Sequence, residues 1–297
     1  MIALYTNRHN PVTYHRLNPF AKLGLDYYWV EKNIKRGTTH LITNNTLMHP
    51  DMDAYKKWMQ EAGIKLVFDI DDYWHIDRWN PAYSKMQQKL KEHIKTISLA
   101  DIITTTHDRL VPYIREVNKE AEIVIVPNGL DETLEQWQPQ PLEEVSFGYV
   151  GGPTHKRDIE QLKGAERKID ILAPEYFKNK LQASRYYKYV NYDNYGFIYN
   201  QFTVSLAPIY PTLFSSLKSD LKAVEAGFKN RMLIASKTQP YLDNPAIQLR
   251  ESYTEWNSLK NLSLDEVQDY AGRLNEWATK NRNINDLNIL RKQILEY

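Results

Sequence analysis

FTVSLAPIYPTLFSSLKSDLKAVEAGFKNRMLIAS, Phe202 to Ser236, sets the reading of the whole chain. An apolar run from Phe202 to Ile209 reads as a strand; an irregular loop and a helix follow, and Met232–Ala235 forms a second strand. Leu217, Leu221, Val224 and Phe228 recur at helical spacing and form the expected buried stripe. Lys218, Lys222, Glu225 and Lys229 fall on a neighbouring polar stripe. Ser219 is the expected N-cap, with Asp220 in the first turn, where the helix dipole favours an acid. Lys218 stands where that dipole disfavours a cation. A lysine beside a helix N-terminus, after the carboxyl end of a strand, points to a docked anion. The alternative is a solvated, lysine-rich face.

Outward from this unit, short apolar strands alternate with amphipathic helices. Towards the N-terminus the strands are IALYTN (Ile2–Asn7), THLITN (Thr39–Asn44), KLVFDI (Lys65–Ile70), DIITTT (Asp101–Thr106) and EIVIVPNG (Glu122–Gly129). Helices are expected over Thr13–Leu23, Asp51–Gly63, Pro81–Ser98 and Asp108–Asn118, with Asp51 as an N-cap and Gly63 as a stop. Arg8, His9, His15 and Arg16 fall near the end of the first strand, the edge where open α/β sheets gather ligands. Near-continuous apolar strands joined through helices imply a doubly wound parallel sheet. Leu130–Glu144 loses periodicity and gains proline, glutamine and acids, and reads as a linker. A further strand, VSFGYV (Val145–Val150), runs into GGPTHKRD, where Gly151 and Gly152 allow close approach of a phosphate. His155, Lys156 and Arg157 at that helix entry strengthen the anion reading. In the tyrosine-rich stretch Ile169–Tyr199, YYKYVNY reads as a strand and NYGFIYNQ as a helix. Two helices, Leu264–Lys280 and Asn285–Tyr297, close the chain.

Composition narrows the classes. The 297 residues suffice for two domains, and 38 Lys and Arg against 37 Asp and Glu argue against an extended nucleic-acid surface. Cysteine is absent, which removes disulfides, thiolate nucleophiles and cysteine metal sites together. No apolar run reaches transmembrane length and Met1 leads straight into IALYTN, so a cytoplasmic protein is expected.

In order and spacing, KLVFDIDDYWH, ADIITTTHDRL, VPNGLD, FGYVGGPTHKRD, SLAPIY, KSDLKAVEAGFKNRMLIAS and QPY resemble the GT-B glycosyltransferases, and among them the retaining group 1 (family 4-like) transferases. The resemblance implies two Rossmann-like α/β domains facing across a cleft. It places an acceptor domain at residues 1–140 and a nucleotide-sugar donor domain at 141–280, with a C-terminal helix at 281–297 crossing back to the N-terminal domain. It implies transfer of a sugar from a nucleotide-diphosphate sugar to an acceptor hydroxyl, with retention, no metal and no permanently bound cofactor. The second acid of the family's Glu-x7-Glu motif, which holds the ribose, matches Glu225. Leu217 stands at the place of the first, which contacts the transferred sugar. Lys218 and Ser219, with Lys222 one turn on, fall against the diphosphate, joined by Gly151, Gly152, His155, Lys156 and Arg157. Asp71 and Asp72 occupy the positions of the family's His-Asp pair, where a carboxylate accepts the acceptor's proton. The acceptor stays open between glycan, lipid-linked sugar, protein and modified base. Two alternatives stand beside this reading. Asp69, Asp71 and Asp72 after one strand resemble the metal-binding carboxylates of metal-dependent transferases, and the change at Leu217 suits a non-catalytic nucleotide-sugar or glycan binder.

Overall fold

A computed structural model describes residues 1–6, 11–31, 33–47, 49–163, 169–172, 183, 185–187, 191–257, 259 and 262–296. The chain forms two compact units, one of Met1–Ile76, Tyr83–Asn128 and Ile284–Tyr297, the other of Asp77–Ala82 and Gly129–Asn283.

The first unit holds β1 (Ile2–Tyr5), β2 (Tyr27–Trp29), β3 (His40–Thr43), β4 (Lys65–Ile70), β5 (Ile102–Thr105) and β6 (Glu122–Ile125). They form a parallel sheet in the order β2-β1-β3-β4-β5-β6. Its helices are α1 (Pro11–Arg16), α2 (Asn18–Ala21), α3 (Met52–Glu61), α4 (Tyr83–Leu99) and α5 (Val111–Val117). Leu66 to Ile70 are all buried, because a central parallel strand is covered on both faces. Asp51 caps α3 by accepting from Ala54 N at 2.9 Å, and Gly63, at φ 69°, ends it in the left-handed conformation a glycine takes freely. The helix expected over Thr13–Leu23 is two short ones, α1 and α2. Strand β2 lies in DYYWV, which carries no strand expectation of its own, and Arg8 and His9 lie outside the described residues.

The second unit repeats the plan with β7 (Phe147–Val150), β8 (Ile169–Leu172), β9 (Tyr186–Tyr187), β10 (Val204–Ala207), β11 (Met232–Ser236) and β12 (Gln248–Arg250). The order is β12-β11-β10-β7-β8-β9, again parallel. Its helices are α6 (Lys156–Glu160), α7 (Leu213–Ser216), α8 (Leu221–Phe228), α9 (Tyr253–Asn257) and α10 (Leu264–Asn281). A Cβ on Gly227 would lie 2.5 Å from Ala278 Cβ and 2.8 Å from the Leu274 carbonyl, so glycine there is what lets α8 and α10 pack closely. The helix expected in NYGFIYNQ is a 3-10 segment, Tyr195–Gln201; of the YYKYVNY strand only Tyr186–Tyr187 is seen, and residues 188–190 lie outside the described residues.

The stretch after Leu130 is not a loose linker. Leu130 and Trp137 are buried in the second unit's core, and Gln136 accepts from Gly196 N at 2.9 Å. Lys229 Nζ donates to the Gln138 carbonyl at 2.8 Å and Arg231 to that of Gln140 at 3.0 Å. Two large apolar anchors and two buried cations fix a segment whose composition alone reads as a spacer. Residues 129–140, expected in the first domain, thus belong by packing to the second unit. The closing helix α11 (Ile284–Ile294) packs in the first unit, where Ile294 joins Ile2, Leu4, Phe20 and Ile42. No helix among the described residues is long and apolar enough to cross a membrane.

Candidate functional site

In the second unit, β7 leads through β8 to β9 on one side, whereas β10, β11 and β12 extend from its other side. The strand order therefore reverses between β7 and β10, and the crevice beyond their carboxyl ends is where such sheets bind ligands. Of the phosphate residues expected from the sequence, Gly151, Gly152, His155, Lys218 and Lys222 lie around this point. Val150 ends β7, Gly151 and Gly152 follow, and a 3-10 turn, Pro153–His155, enters α6. A Cβ on Gly151 would fall 2.2 Å from the Tyr149 hydroxyl oxygen, so that glycine makes room for a tyrosine; around Gly152 the space within 4 Å is open.

His155 Nδ1 contacts Asp158 Oδ2 at 2.7 Å, while Asp158 Oδ1 accepts from Tyr210 N at 2.7 Å. Asp158 thus ties the first turn of α6 to the segment leaving β10. Burial pulls the His155 imidazole below its usual range, and the charges of Lys218 and Lys222 act in the same direction against Asp158. Lys222 Nζ donates to the Val150 carbonyl and sits 4.9 Å from the centroid of the Tyr149 ring. Burial lowers the Lys222 ammonium to about 8, opposed by Glu225 and Asp158 and helped by Lys218. His155, Lys218, Lys222, Asp158 and Glu225 are therefore one electrostatic cluster. Burial acts on Lys222 and His155, and two lysine charges meet there beside the two acids, an arrangement able to take up an arriving anion.

Glu225 is 2% exposed. Its Oε2 accepts from the Tyr199 hydroxyl at 2.7 Å, and the Tyr195 side chain bonds it as well. Burial raises its carboxyl to about 7; Lys222 and the two phenols hold it back. Tyr199 is itself pushed well above the ordinary phenol range by burial and by the Glu225 charge. The stripe through Lys218, Lys222, Glu225 and Lys229 is thus not a solvated face, for Glu225 and Lys229 are both buried.

The helix starts later than the sequence suggests. Leu217 is buried and ends α7; the residue before α8 is Asp220, not Ser219. Asp220 makes no side-chain capping bond and instead accepts from Arg282 Nη2 at 2.8 Å. The local reason is Thr212, which caps α7 through a reciprocal bond pair with Ser215 and donates to Asp77 Oδ2 at 2.8 Å. The loop expected before the helix thus holds α7, and Lys218 and Ser219 lie half-buried in the bend between α7 and α8.

The other expected residues are placed differently. Lys156 is exposed. The Arg157 guanidinium lies 5.0 Å from the ring centroids of both Trp79 and Tyr210, in the corner these two rings make by meeting edge-on at 76°. Asp71 and Asp72 follow β4 in the first unit and are half-buried. Asp69 does not belong with them. It is buried, and its Oδ1 accepts from Arg16 Nη2 at 2.7 Å and Thr104 Oγ1 at 2.5 Å. A carboxylate so engaged is not available to a cation, and among the described residues no group of three His, Asp or Glu is placed to hold a metal. Arg16, expected at the sheet edge, is its buried partner. Tyr199, Tyr195, Asp158 and Tyr149 complete the cluster and were not singled out in the sequence. The tyrosine-rich stretch was the one signal for the first two.

No family model matches the sequence, and no curated protein sequence does. Solved structures match over the whole chain. Sucrose-phosphate synthase from Thermosynechococcus elongatus is 13% identical, with a TM-score of 0.64, over 99% of this chain and 98% of that one. HepE from Anabaena, solved in complex with UDP, is 10% identical, with a TM-score of 0.68, over 100% of both. An E. coli trehalose-6-phosphate enzyme structure with bound UDP-2-fluoro glucose is 10% identical, with a TM-score of 0.57, over 89% of this chain and 73% of that one.

Proposed function

We propose that this chain, whose two parallel-sheet α/β units have the GT-B glycosyltransferase fold, transfers a sugar from a uridine-diphosphate sugar to an acceptor hydroxyl. The observation that carries the reading is the cluster of Lys218, Lys222 and His155 with Glu225 at the reversal point of the second sheet, where Lys222 meets the end of β7 and His155 the first turn of α6. In it the diphosphate lies against Lys218, Ser219 and Lys222 beyond Val150, with the open backbone at Gly152 allowing close approach. The cations and the N-terminus of α8 stabilise the charge that develops as the diphosphate leaves. Glu225 holds the ribose, and the tyrosine bonds fix its carboxylate. Asp71 and Asp72 receive the proton of the acceptor hydroxyl. Transfer proceeds with retention and without a divalent ion, because the lysines do the ion's work at the leaving group.

Incubation with UDP-glucose, UDP-galactose and UDP-N-acetylglucosamine, with neutral saccharide acceptors, tests the proposal through UDP release. Release that falls in Lys218→Ala and persists in excess chelator is expected. No release from any donor removes the transfer reading, and loss in chelator removes the metal-free part. The buried Leu217, where the resembling family carries an acid, favours one second reading, a nucleotide-sugar binder without turnover. UDP binding without release selects it.

A further inference from the structure

The first unit has its own reversal point. Strand β1 pairs with β2 on one side and β3 on the other, and Tyr5 closes β1. A cavity of about 390 Å³ is lined there by Tyr5, Val30, Ile34, Leu47, Tyr55 and Trp58, with Asn33 and His49 among the remaining wall. Val30 and Ile34 follow β2, and Leu47 and His49 follow β3. The cavity is thus built from the chain leaving three adjacent strand ends and from α3. Its size is that of a small-molecule site.

Three rings form a stack along one wall. His49 lies 4.9 Å from Tyr55 at 12° between planes, and Tyr55 lies 5.5 Å from Trp58 at 15°. The His49 ring is held by the Asp51 backbone, whose carbonyl oxygen lies 2.6 Å and amide nitrogen 3.1 Å from its Nδ1. Tyr55 covers one face of Trp58, yet Trp58 remains 43% exposed. The polar atoms are grouped too: the Tyr55 hydroxyl is pushed up by burial and by its neighbours Tyr5 and Tyr28.

We propose that this cavity binds a neutral sugar ring, which makes the acceptor a saccharide. The C–H groups on one face of a pyranose carry slight positive charge and meet the negative face of an aromatic ring, while its hydroxyls need partners at the rim. Trp58 supplies the face; Asn33, His49 and the Tyr5 and Tyr55 hydroxyls supply the partners. An alkyl or isoprenyl chain would leave these polar groups desolvated and unpaired. Among the described lining residues an anion would find no lysine or arginine. That the sugar is the acceptor rests on the transfer reading above; that the cavity takes a sugar does not.

Saturation-transfer NMR with glucose, N-acetylglucosamine, maltose and cellobiose, and with 1-octanol as the alkyl probe, tests it on wild type, Trp58→Ala and Trp58→Phe. Trp58 is exposed on α3, so its removal leaves the core side of the helix, with Met59, in place. At least one saccharide is expected to bind wild type, about tenfold more weakly to Trp58→Ala and close to wild type in Trp58→Phe. No saccharide binding, equal binding in Trp58→Ala, or binding of octanol alone overturns the site. Saccharide binding that follows Trp58 while no UDP is released with any acceptor upholds the cavity and overturns the transfer reading instead.

Discussion

The two sheets reverse their strand order in the same way, yet the ends of their strands hold opposite chemistry. At the β7–β10 reversal the side chains are charged and desolvated: Lys222 is drawn down to about 8 and Glu225 raised to about 7. At the β1–β3 reversal the described cavity lining is mainly rings and aliphatic groups, with Asn33 and no charged lysine, arginine or acid. The first unit has buried charge as well, but between α1 and β4, where Arg16 and Asp69 meet at 2.7 Å with 2% and 1% of their side chains exposed. That pair is complementary and stabilises the fold. The cluster of the second unit is of mixed sign: Glu225 and Asp158 hold the Lys222 charge while Lys218 opposes it. A shared topology thus fixes where a ligand goes, and the local charge balance fixes which ligand it is.

The sharpest way to break this contrast is to unpair the first unit's charge. Asp69→Asn leaves Arg16 buried without its counter-ion and is expected to destabilise the protein by about 3–5 kcal/mol, read by urea denaturation. A loss no larger than that of a surface substitution would mean the pair is not structural.

The second expectation concerns pH. Glu225 titrates higher in the folded chain, about 7, than its unfolded value of 4.5. The folded state therefore holds the proton more tightly, and the resulting stability is complete below pH 4.5 and lost as pH rises through 7. Wild type should lose on the order of 2 kcal/mol relative to Glu225→Gln over that window, a figure reduced for its coupling to Lys222. Denaturation at pH 4.5 and at pH 8 checks it, and parallel pH profiles of the two proteins would contradict it.

Two smaller effects sharpen the account of the second unit. Arg157→Lys keeps the charge but loses the guanidinium contact with the Trp79 and Tyr210 rings, with an expected cost of about 1 kcal/mol in stability. Unchanged stability would return Arg157 to the phosphate role read from the sequence. Thr212→Ala removes the cap of α7 and its bond to Asp77, for about 1 kcal/mol by thermal denaturation. No shift in Tm would show that the α7–α8 bend is held by other contacts.

The strands at the centre of each sheet were legible because burial on both faces leaves them apolar throughout: KLVFDI matches β4 residue for residue. The edge strands β2 and β12 were not, since each is three residues long and partly exposed. Within the site, Lys218 was legible as a misplaced cation against the helix dipole. The burial of Glu225 was not, because it depends on Tyr199, which lies 26 residues away in sequence and reaches it only through folding. Arg157 shows the same limit: its partner Trp79 comes from the segment after β4, and no local pattern marks that pairing. The span after Leu130 misleads for a related reason, as a single buried Trp137 outweighs its polar composition.

Calorimetric titration with UDP, on wild type and on Glu225→Ala, tests the central claim most directly. The account predicts that UDP binds wild type and that the substitution weakens it by at least about tenfold, the loss of a charge-assisted bond to the ribose. Wild type that takes up no UDP, or UDP that binds both proteins equally, would contradict it.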